Sequence, residues 1–173
     1  MRLKEFISET IREYLNENKN DYLKDIIFYH GSDVVFDNFN RDYATNGNLG
    51  SGFYFTPVIG LAKQYGNIIY KVNLDITNPL YINSSDDIFS EKDIIKIVNN
   101  IPQNMFKDNK DEYVKYILSI NNSRVRNEEF IKNITFIDRR ANNVFERLGY
   151  DAIIGNQMDE VVIWNPNKIR ILK

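Results

Sequence analysis

The feature that most constrains the fold is a change of pattern along the chain, because strand-like runs at both ends enclose a helical middle. Between Ser84 and Leu148 apolar residues recur every three or four positions and glycine is absent, a pattern that predicts helices. A long strand-like run, 67–76, precedes this block, and three shorter runs follow it, at 150–154, 161–164 and 168–172. Strands that flank a block of helices predict an α+β fold with a composite sheet.

Local signals mark two boundaries in and after the helical block. Ser90 with Asp93 predicts a capping box at the start of a helix, and Gly149 predicts a helix stop.

Composition narrows the classes of function. The 173 residues fit one domain. A net charge of -2 gives no polybasic signature for binding nucleic acid or anionic membrane. Cysteine is absent, which excludes disulfides and thiolate chemistry, and a single histidine argues against a zinc site. We therefore expect no metal.

Residues 1–20 are predicted to form a separate element. Their apolar residues recur at helical spacing, which predicts an amphipathic helix packed on a domain formed by residues 21–173. A detachable partner-binding helix is the alternative. The segment lacks the apolar core of a signal peptide, and no run in the chain approaches membrane-spanning length. We therefore expect a cytoplasmic protein with no membrane partner.

Three strand-like runs carry polar groups at their ends. Residues at the ends of strands are held in place by the sheet and are often the ones that bind or react. The first ends in His30-Gly31-Ser32 and holds the only histidine of the chain. The second is Gly52-Phe53-Tyr54-Phe55, after which a helix is predicted to begin at Thr56-Pro57 and to stop at Gly66. The third begins with Glu160, ahead of Val161-Val162-Ile163-Trp164.

In this order, the motifs resemble those of the H-Y-E class of ADP-ribosyltransferases, the group that contains the poly(ADP-ribose) polymerases and diphtheria toxin. In that family a strand ends in His-Gly-Ser or His-Gly-Thr, and a glutamate opens a later apolar strand. Between them, a Gly-x-Tyr-Phe strand leads to a helix with a second tyrosine. Tyr65 matches that second tyrosine, because it follows Tyr54 by 11 residues as the family pattern requires.

The chain also resembles the small transferase domains of phage polyvalent proteins. It shares with them the Gly-Phe-Tyr-Phe-Thr run, the Asn78-Pro79 pair after the long strand, and a Leu-Gly-Tyr-Asp-Ala segment before the glutamate. The resemblance covers about 26–172. Two positions depart from the larger family. Ala62 stands where the polymerases carry a serine that helps hold the nicotinamide carboxamide, and Met158 stands where arginine-targeting members carry an acidic residue or glutamine.

The resemblance implies a split mixed and antiparallel sheet with a helical block between its strands, and an enzyme that takes NAD as its co-substrate. The reaction would break the bond between nicotinamide and ribose and transfer ADP-ribose to a macromolecular acceptor. Nicotinamide leaves as a neutral ring, so the paired carboxylates of ordinary glycoside hydrolysis are not needed. One carboxylate, that of Glu160, would stabilise the positive charge that develops on the ribose.

The resemblance also assigns binding roles. His30, Gly31 and Ser32 would bind the ribose and carboxamide groups of NAD. Tyr54 and Tyr65 would sandwich the nicotinamide, because two aromatic faces attract a cationic ring.

Gly52 and the glycine and serine before it would let the backbone approach the ligand closely. Gln157 and Met158, just before Glu160, are candidates for acceptor recognition. The polar tract 41–48 could serve as a mobile lid.

Each candidate also has a plain structural interpretation. His30 could be a hydrogen-bonded strand end, Glu160 could be a solvated residue paired with a lysine such as Lys168, and Arg139-Arg140 could be a solvated helix face.

The leading functional hypothesis is a mono-ADP-ribosyltransferase that acts as a phage-borne or toxin-like effector, with an inhibitory partner if its activity harms the host. One alternative is an NAD glycohydrolase that uses water as the acceptor. The other is a non-catalytic NAD or ADP-ribose binding module.

Overall fold

The computed structural model of the chain describes residues 23–47, 49–82, 89–106, 109–137, 144–155 and 159–173. Three predictions lie outside these ranges: the helix at 1–20, the acceptor-recognition pair Gln157 and Met158, and the solvated face at Arg139-Arg140. Within the described ranges, no helix is long and apolar enough to cross a membrane.

Eight strands and five α-helices are present in the described part of the chain. The strands are β1 Phe28–Ser32, β2 Thr45–Gly47, β3 Gly50–Phe55, β4 Ile68–Leu74, β5 Pro79–Ile82, β6 Ala152–Gly155, β7 Glu160–Ile163 and β8 Ile169–Ile171. The α-helices are α1 Ile59–Ala62, α2 Glu91–Asn99, α3 Lys110–Leu118, α4 Ser123–Ile137 and α5 Val144–Arg147. The predicted arrangement, with strands on both sides of a helical block, is therefore confirmed.

The strands form two sheets. The first is antiparallel, in the order β1-β4-β8. The second has the order β2-β3-β7-β6-β5, in which only the β5–β6 pair is parallel. The sheets meet where Tyr29 and Thr56 exchange two backbone hydrogen bonds, of 2.8 and 3.1 Å. The split mixed and antiparallel sheet implied by the resemblance is thus confirmed.

The five-stranded sheet separates two apolar cores. Because successive side chains of a strand point to opposite faces, β7 contributes to both cores. Val161 and Ile163 pack toward the three-stranded sheet, together with Phe28 and Phe55. Val162 packs on the other face, against a core built largely from helices α2 to α5. This alternation decides which way each residue of β3 and β7 faces, including those at the strand ends.

Local signals set several boundaries correctly. Ser90 and Asp93 form the capping box that opens α2, with the Ser90 hydroxyl accepting from the Asp93 amide at 3.2 Å. Gly149, predicted as a helix stop, has a φ of +93°, in the left-handed region that favours glycine.

One local prediction was wrong. The helix expected to begin at Thr56 begins at Ile59, because the Thr56 hydroxyl accepts from the amide of Val58 in a local turn and caps no helix.

The tract predicted as a candidate lid contains a 3₁₀ helix, Arg41–Tyr43, and strand β2. Its role as a lid stays a prediction. Arg41 is further held by an ion pair with Glu146 at 2.6 Å.

Asp151 joins the start of β6 to the segment before β5. Its carboxylate accepts hydrogen bonds from the Thr77 amide at 2.7 Å, the Thr77 hydroxyl at 2.6 Å and the Asn78 amide at 3.0 Å. Lys168 lies 3.0 Å away, and the Asn78 side chain donates to the Gly149 carbonyl. Burial acts to raise the pKa of Asp151, but these hydrogen bonds outweigh it and lower the pKa. The cluster holds β5 and β6 side by side.

We expect Asp151→Ala to lower the free energy of unfolding by about 3 kcal/mol, because it removes three hydrogen bonds and the Lys168 ion pair from a carboxylate that is only 10% exposed. Urea unfolding at neutral pH measures this change. Since the fold lowers the pKa of Asp151, its contribution is present at neutral pH. The difference between the two proteins should therefore shrink as the pH falls through that lowered value.

Asp75→Ala is the matched control, because the Asp75 carboxylate is 68% exposed and lies 3.7 Å from the same Lys168 ammonium. It should cost less than about 1 kcal/mol. Equal costs for the two variants would contradict the role given to Asp151.

Candidate active site

His30 connects the two sheets through a side chain. Its Nδ1 lies 2.8 Å from the carbonyl oxygen of Tyr54. A carbonyl can only accept, so Nδ1 carries the hydrogen in this bond. Burial lowers the pKa of His30 and outweighs the opposite effect of the hydrogen bond, which keeps the ring neutral near pH 7. Nε2 is therefore left as a hydrogen-bond acceptor.

Aromatic rings fix the orientation of the His30 ring. Phe39 and Phe55 lie edge-on or tilted against it, with ring centroids 5.2 and 5.6 Å away. Phe36 and Tyr70 complete the cluster, and the Tyr70 hydroxyl accepts from the Phe36 amide at 2.7 Å. The loop after β1 is thus held down by aromatic residues.

Gly31 faces α1 at very close range. In the antiparallel β1–β4 pair, residues alternate in the direction of their backbone groups, so the N–H and C=O of Gly31 point the same way as those of Tyr29, away from β4. A side chain at Gly31 would collide with the backbone of Ala62 and approach that of Gly66. Only glycine allows this approach, which brings the segment carrying Tyr65 against the end of β1.

Tyr54 lies on the helix-facing side of β3. Phe53 and Phe55 pack between the sheets, whereas Tyr54 packs against the core on the other face. Its hydroxyl accepts from the Gly47 amide at 3.0 Å and donates to the Gly50 carbonyl. Burial, followed by the negative charge of Glu160, raises the pKa of Tyr54 well above its ordinary value. Tyr54 and Glu160 therefore share one environment.

Tyr65 lies at the surface near Tyr54. Its side chain is 75% exposed, and its ionised form would act on Tyr54 in the same direction as Glu160. The open face of Tyr65 is available for stacking.

Glu160 is the first residue of β7 and pairs with Gly155 of β6. By strand alternation it points to the same face as Val162, toward the helices. The side chain is partly buried. Burial and the nearby Glu128 carboxylate raise its pKa above the usual value. The sheet thus brings Glu160 and Tyr54 to one face. His30 is linked to this pair by its hydrogen bond to the Tyr54 carbonyl.

A cavity of about 250 Å³ opens between Glu160 and helix α4. Its wall is completed by Leu49, Val125, Glu128, Glu129, Lys132 and Gly155. Sequence reasoning missed the α4 residues. Charges spaced three and four apart on a helix are typical of a solvated face, and no local signal separates a solvated face from a cavity wall.

Other predicted site residues have structural partners. The Ser32 hydroxyl donates to the Val34 carbonyl at 2.9 Å and accepts from its amide at 3.0 Å. A side chain at Gly52 would collide with Val162, and one at Gly50 would collide with Thr135 of α4. Protein atoms therefore fill the space at the Cβ positions of these glycines, and their predicted contact with a ligand stays a prediction.

The plain interpretation of Glu160 as a partner of Lys168 is not supported. The Lys168 ammonium lies 3.0 Å from Asp151 and 3.7 Å from Asp75. Across the described ranges, no group of three histidine, aspartate or glutamate side chains is placed to hold a metal ion.

Comparison with known proteins identifies the family. A family model described as "ADP-Ribosyltransferase in polyvalent proteins" matches residues 24–172. The chain belongs to this family. It is therefore an ADP-ribosyltransferase enzyme of the polyvalent-protein type, as the motifs predicted.

No curated protein matches this transferase. Solved structures similar to it include one titled "Crystal structure of an anti-CRISPR protein", at 12% sequence identity and a TM-score of 0.45. That match covers 84% of the transferase and 94% of the other chain.

We expect Glu128→Gln to lower the pKa of Glu160, because it removes a negative charge that disfavours ionisation of Glu160. NMR titration of the Glu160 carboxyl carbon measures the pKa directly.

Glu129→Gln is the control. Glu129 lines the same cavity, but its carboxylate accepts from Asn133 at 3.0 Å, and Glu128 is the carboxylate whose charge raises the pKa of Glu160. A Glu160 pKa that rises or stays unchanged in Glu128→Gln would contradict the electrostatic contact.

Proposed function

We propose that this transferase is a mono-ADP-ribosyltransferase that cleaves NAD and passes ADP-ribose to a macromolecular acceptor. The observation that carries the proposal is the convergence of Tyr54 and Glu160 on one face of the paired strands β3 and β7, with His30 bonded to the Tyr54 backbone. These are the three residues that the H-Y-E pattern requires, and they come from three separate parts of the sequence.

The groups suit the parts of NAD. A neutral His30 offers Nε2 as an acceptor for a ribose hydroxyl. The Gly31 backbone offers one donor and one acceptor on the same side of β1, which complements a carboxamide. Tyr54 and the exposed Tyr65 offer aromatic faces for a cationic nicotinamide. At Ala62, where related polymerases carry serine, no hydroxyl assists the carboxamide.

Glu160 supports the charge that forms during bond cleavage. As the bond between C1' of the ribose and the nicotinamide nitrogen breaks, its electron pair leaves with nicotinamide and positive charge develops on the ribose. The Glu160 carboxylate accepts a hydrogen bond from the ribose 2'-hydroxyl and stabilises that charge. The acceptor nucleophile then bonds to C1' and loses its proton. Only the ionised carboxylate can do this, so activity should fall on the acid side as Glu160 becomes protonated.

The biological role proposed is that of a phage or toxin-like effector acting in the cytoplasm. An inhibitory partner would fit an activity that harms the cell producing it. The acceptor approaches through the cavity between Glu160 and α4. A macromolecule bound over the mouth of this cavity would exclude water from it.

We expect Glu160→Gln to reduce transfer of labelled ADP-ribose from NAD by about a hundredfold or more, because one preorganised transition-state contact is lost. Purified protein is incubated with labelled NAD and cell lysate, and both label transfer and free nicotinamide are followed. Digestion with protease or nuclease shows which class of macromolecule carries the label.

Glu112→Gln, on the exposed face of α3, serves as the matched control and should retain full activity. Nicotinamide release without transfer to any macromolecule would replace the proposal with an NAD glycohydrolase. NAD binding without either product would leave a non-catalytic binding module.

A further inference from the structure

The hydroxyl of Tyr54 is bound at both ends of the turn that joins β2 to β3. It accepts a hydrogen bond from the Gly47 amide at 3.0 Å and donates one to the Gly50 carbonyl. Gly47 and Gly50 are also paired with each other in the β2–β3 ladder. A stacking role requires only the aromatic ring, so these two bonds need a separate explanation.

Glycine at position 47 is what allows the ring to lie there. A Cβ on Gly47 would be 2.5 Å from Cζ of Tyr54 and 2.8 Å from its hydroxyl oxygen. No real side chain reaches such distances without displacing the ring. The tip of the Tyr54 ring therefore rests directly on the backbone of Gly47.

The other side of the turn is fixed by the helical block. Gly50 has a φ of +91°, and a Cβ there would collide with the side chain of Thr135 in α4. Thr135 is itself 1% exposed, and its hydroxyl donates to the Lys132 carbonyl at 2.9 Å. A line of direct contacts thus runs from the buried face of α4, through Gly50, to the hydroxyl of Tyr54.

The Tyr54 hydroxyl keeps its hydrogen in this environment. Burial and the Glu160 charge both raise its pKa, so the phenol is neutral near pH 7 and can donate to the Gly50 carbonyl. The hydroxyl donates its hydrogen to the Gly50 carbonyl and accepts a bond from the Gly47 amide. Both bonds hold the ring in place.

We propose that the backbone of Gly47 and Gly50 is a positioning element for the transferase reaction, which holds the Tyr54 ring at the angle needed to stack on nicotinamide. Position 54 then requires tyrosine, because phenylalanine would supply the ring without the hydroxyl that holds it. The inference rests on the proposed function, because it assigns this ring to nicotinamide.

Positioning matters because the Tyr54 ring, one strand in from the edge of the sheet, would otherwise turn about its side-chain torsions. β2 is the outermost strand of the five-stranded sheet, paired only with β3 in the described sheet order. The two hydroxyl bonds fix the plane of the ring relative to Glu160, which sets the scissile bond against the carboxylate. A small displacement from a near-attack geometry costs rate as well as affinity.

The test compares two variants that disturb the same contact differently. Tyr54→Phe keeps the ring and removes both hydrogen bonds. Gly47→Ala keeps the hydroxyl and pushes the ring out of place. For each we expect kcat/KM for NAD cleavage to fall about tenfold to a hundredfold. The inhibition constant of nicotinamide, the leaving group that the ring contacts, should rise with the KM for NAD.

Tyr43→Phe is the matched control, because Tyr43 is 79% exposed in the neighbouring 3₁₀ helix. It should leave both constants and the thermal midpoint unchanged. If Tyr54→Phe equals the control in kcat/KM, the inference is overturned while the proposed function stands. A lower thermal midpoint with unchanged nicotinamide inhibition would also overturn it, since that result indicates a purely structural bond. Absence of NAD cleavage in the unsubstituted protein would overturn both.

Discussion

The joint between the two sheets is the interaction on which the proposed site depends. Tyr29 and Thr56 exchange backbone hydrogen bonds, and beside them the His30 ring donates to the Tyr54 carbonyl. These bonds fix the end of β1 against the end of β3, so the histidine and tyrosine motifs become one site. The joint requires a hydrogen on Nδ1, and burial, which lowers the pKa of His30, keeps the ring in the neutral form that carries its hydrogen there. The same condition leaves Nε2 available to a ligand, so the structural bond and the proposed binding role of His30 support each other.

A second constraint places the glutamate. The Asp151 carboxylate ties the start of β6 to Thr77 and Asn78 ahead of β5, and β6 in turn carries β7 beside β3. The resemblance to polyvalent-protein domains included the Asn78-Pro79 pair and the segment containing Asp151, neither of which has evident chemistry. The structure gives both segments one architectural role, because their mutual hydrogen bonds hold β5 against β6, the strand that pairs with the Glu160 strand β7.

The helical block forms one wall of the site as well as covering the sheet. From one helix, α4, Thr135 supports the turn that carries Gly50, and Glu128 acts electrostatically on Glu160. The apolar spacing between Ser84 and Leu148 predicted helices, and α4 is one of them. Periodicity identifies which residues are buried but not what they are buried against, so the link from α4 to the candidate active site had no signal in the sequence.

The sequence by itself determined the order and type of the elements in the described part, the capping box at Ser90, the stop at Gly149 and the three motifs that indicate the family. These depend on periodicity and on residues close together in the chain. Tertiary structure decided that Gly50 and Gly52 serve packing, that the Tyr54 hydroxyl binds the turn at Gly47, and that α4 faces Glu160. The physical reason is that such contacts join distant segments, and their geometry exists only after both cores have packed around the five-stranded sheet.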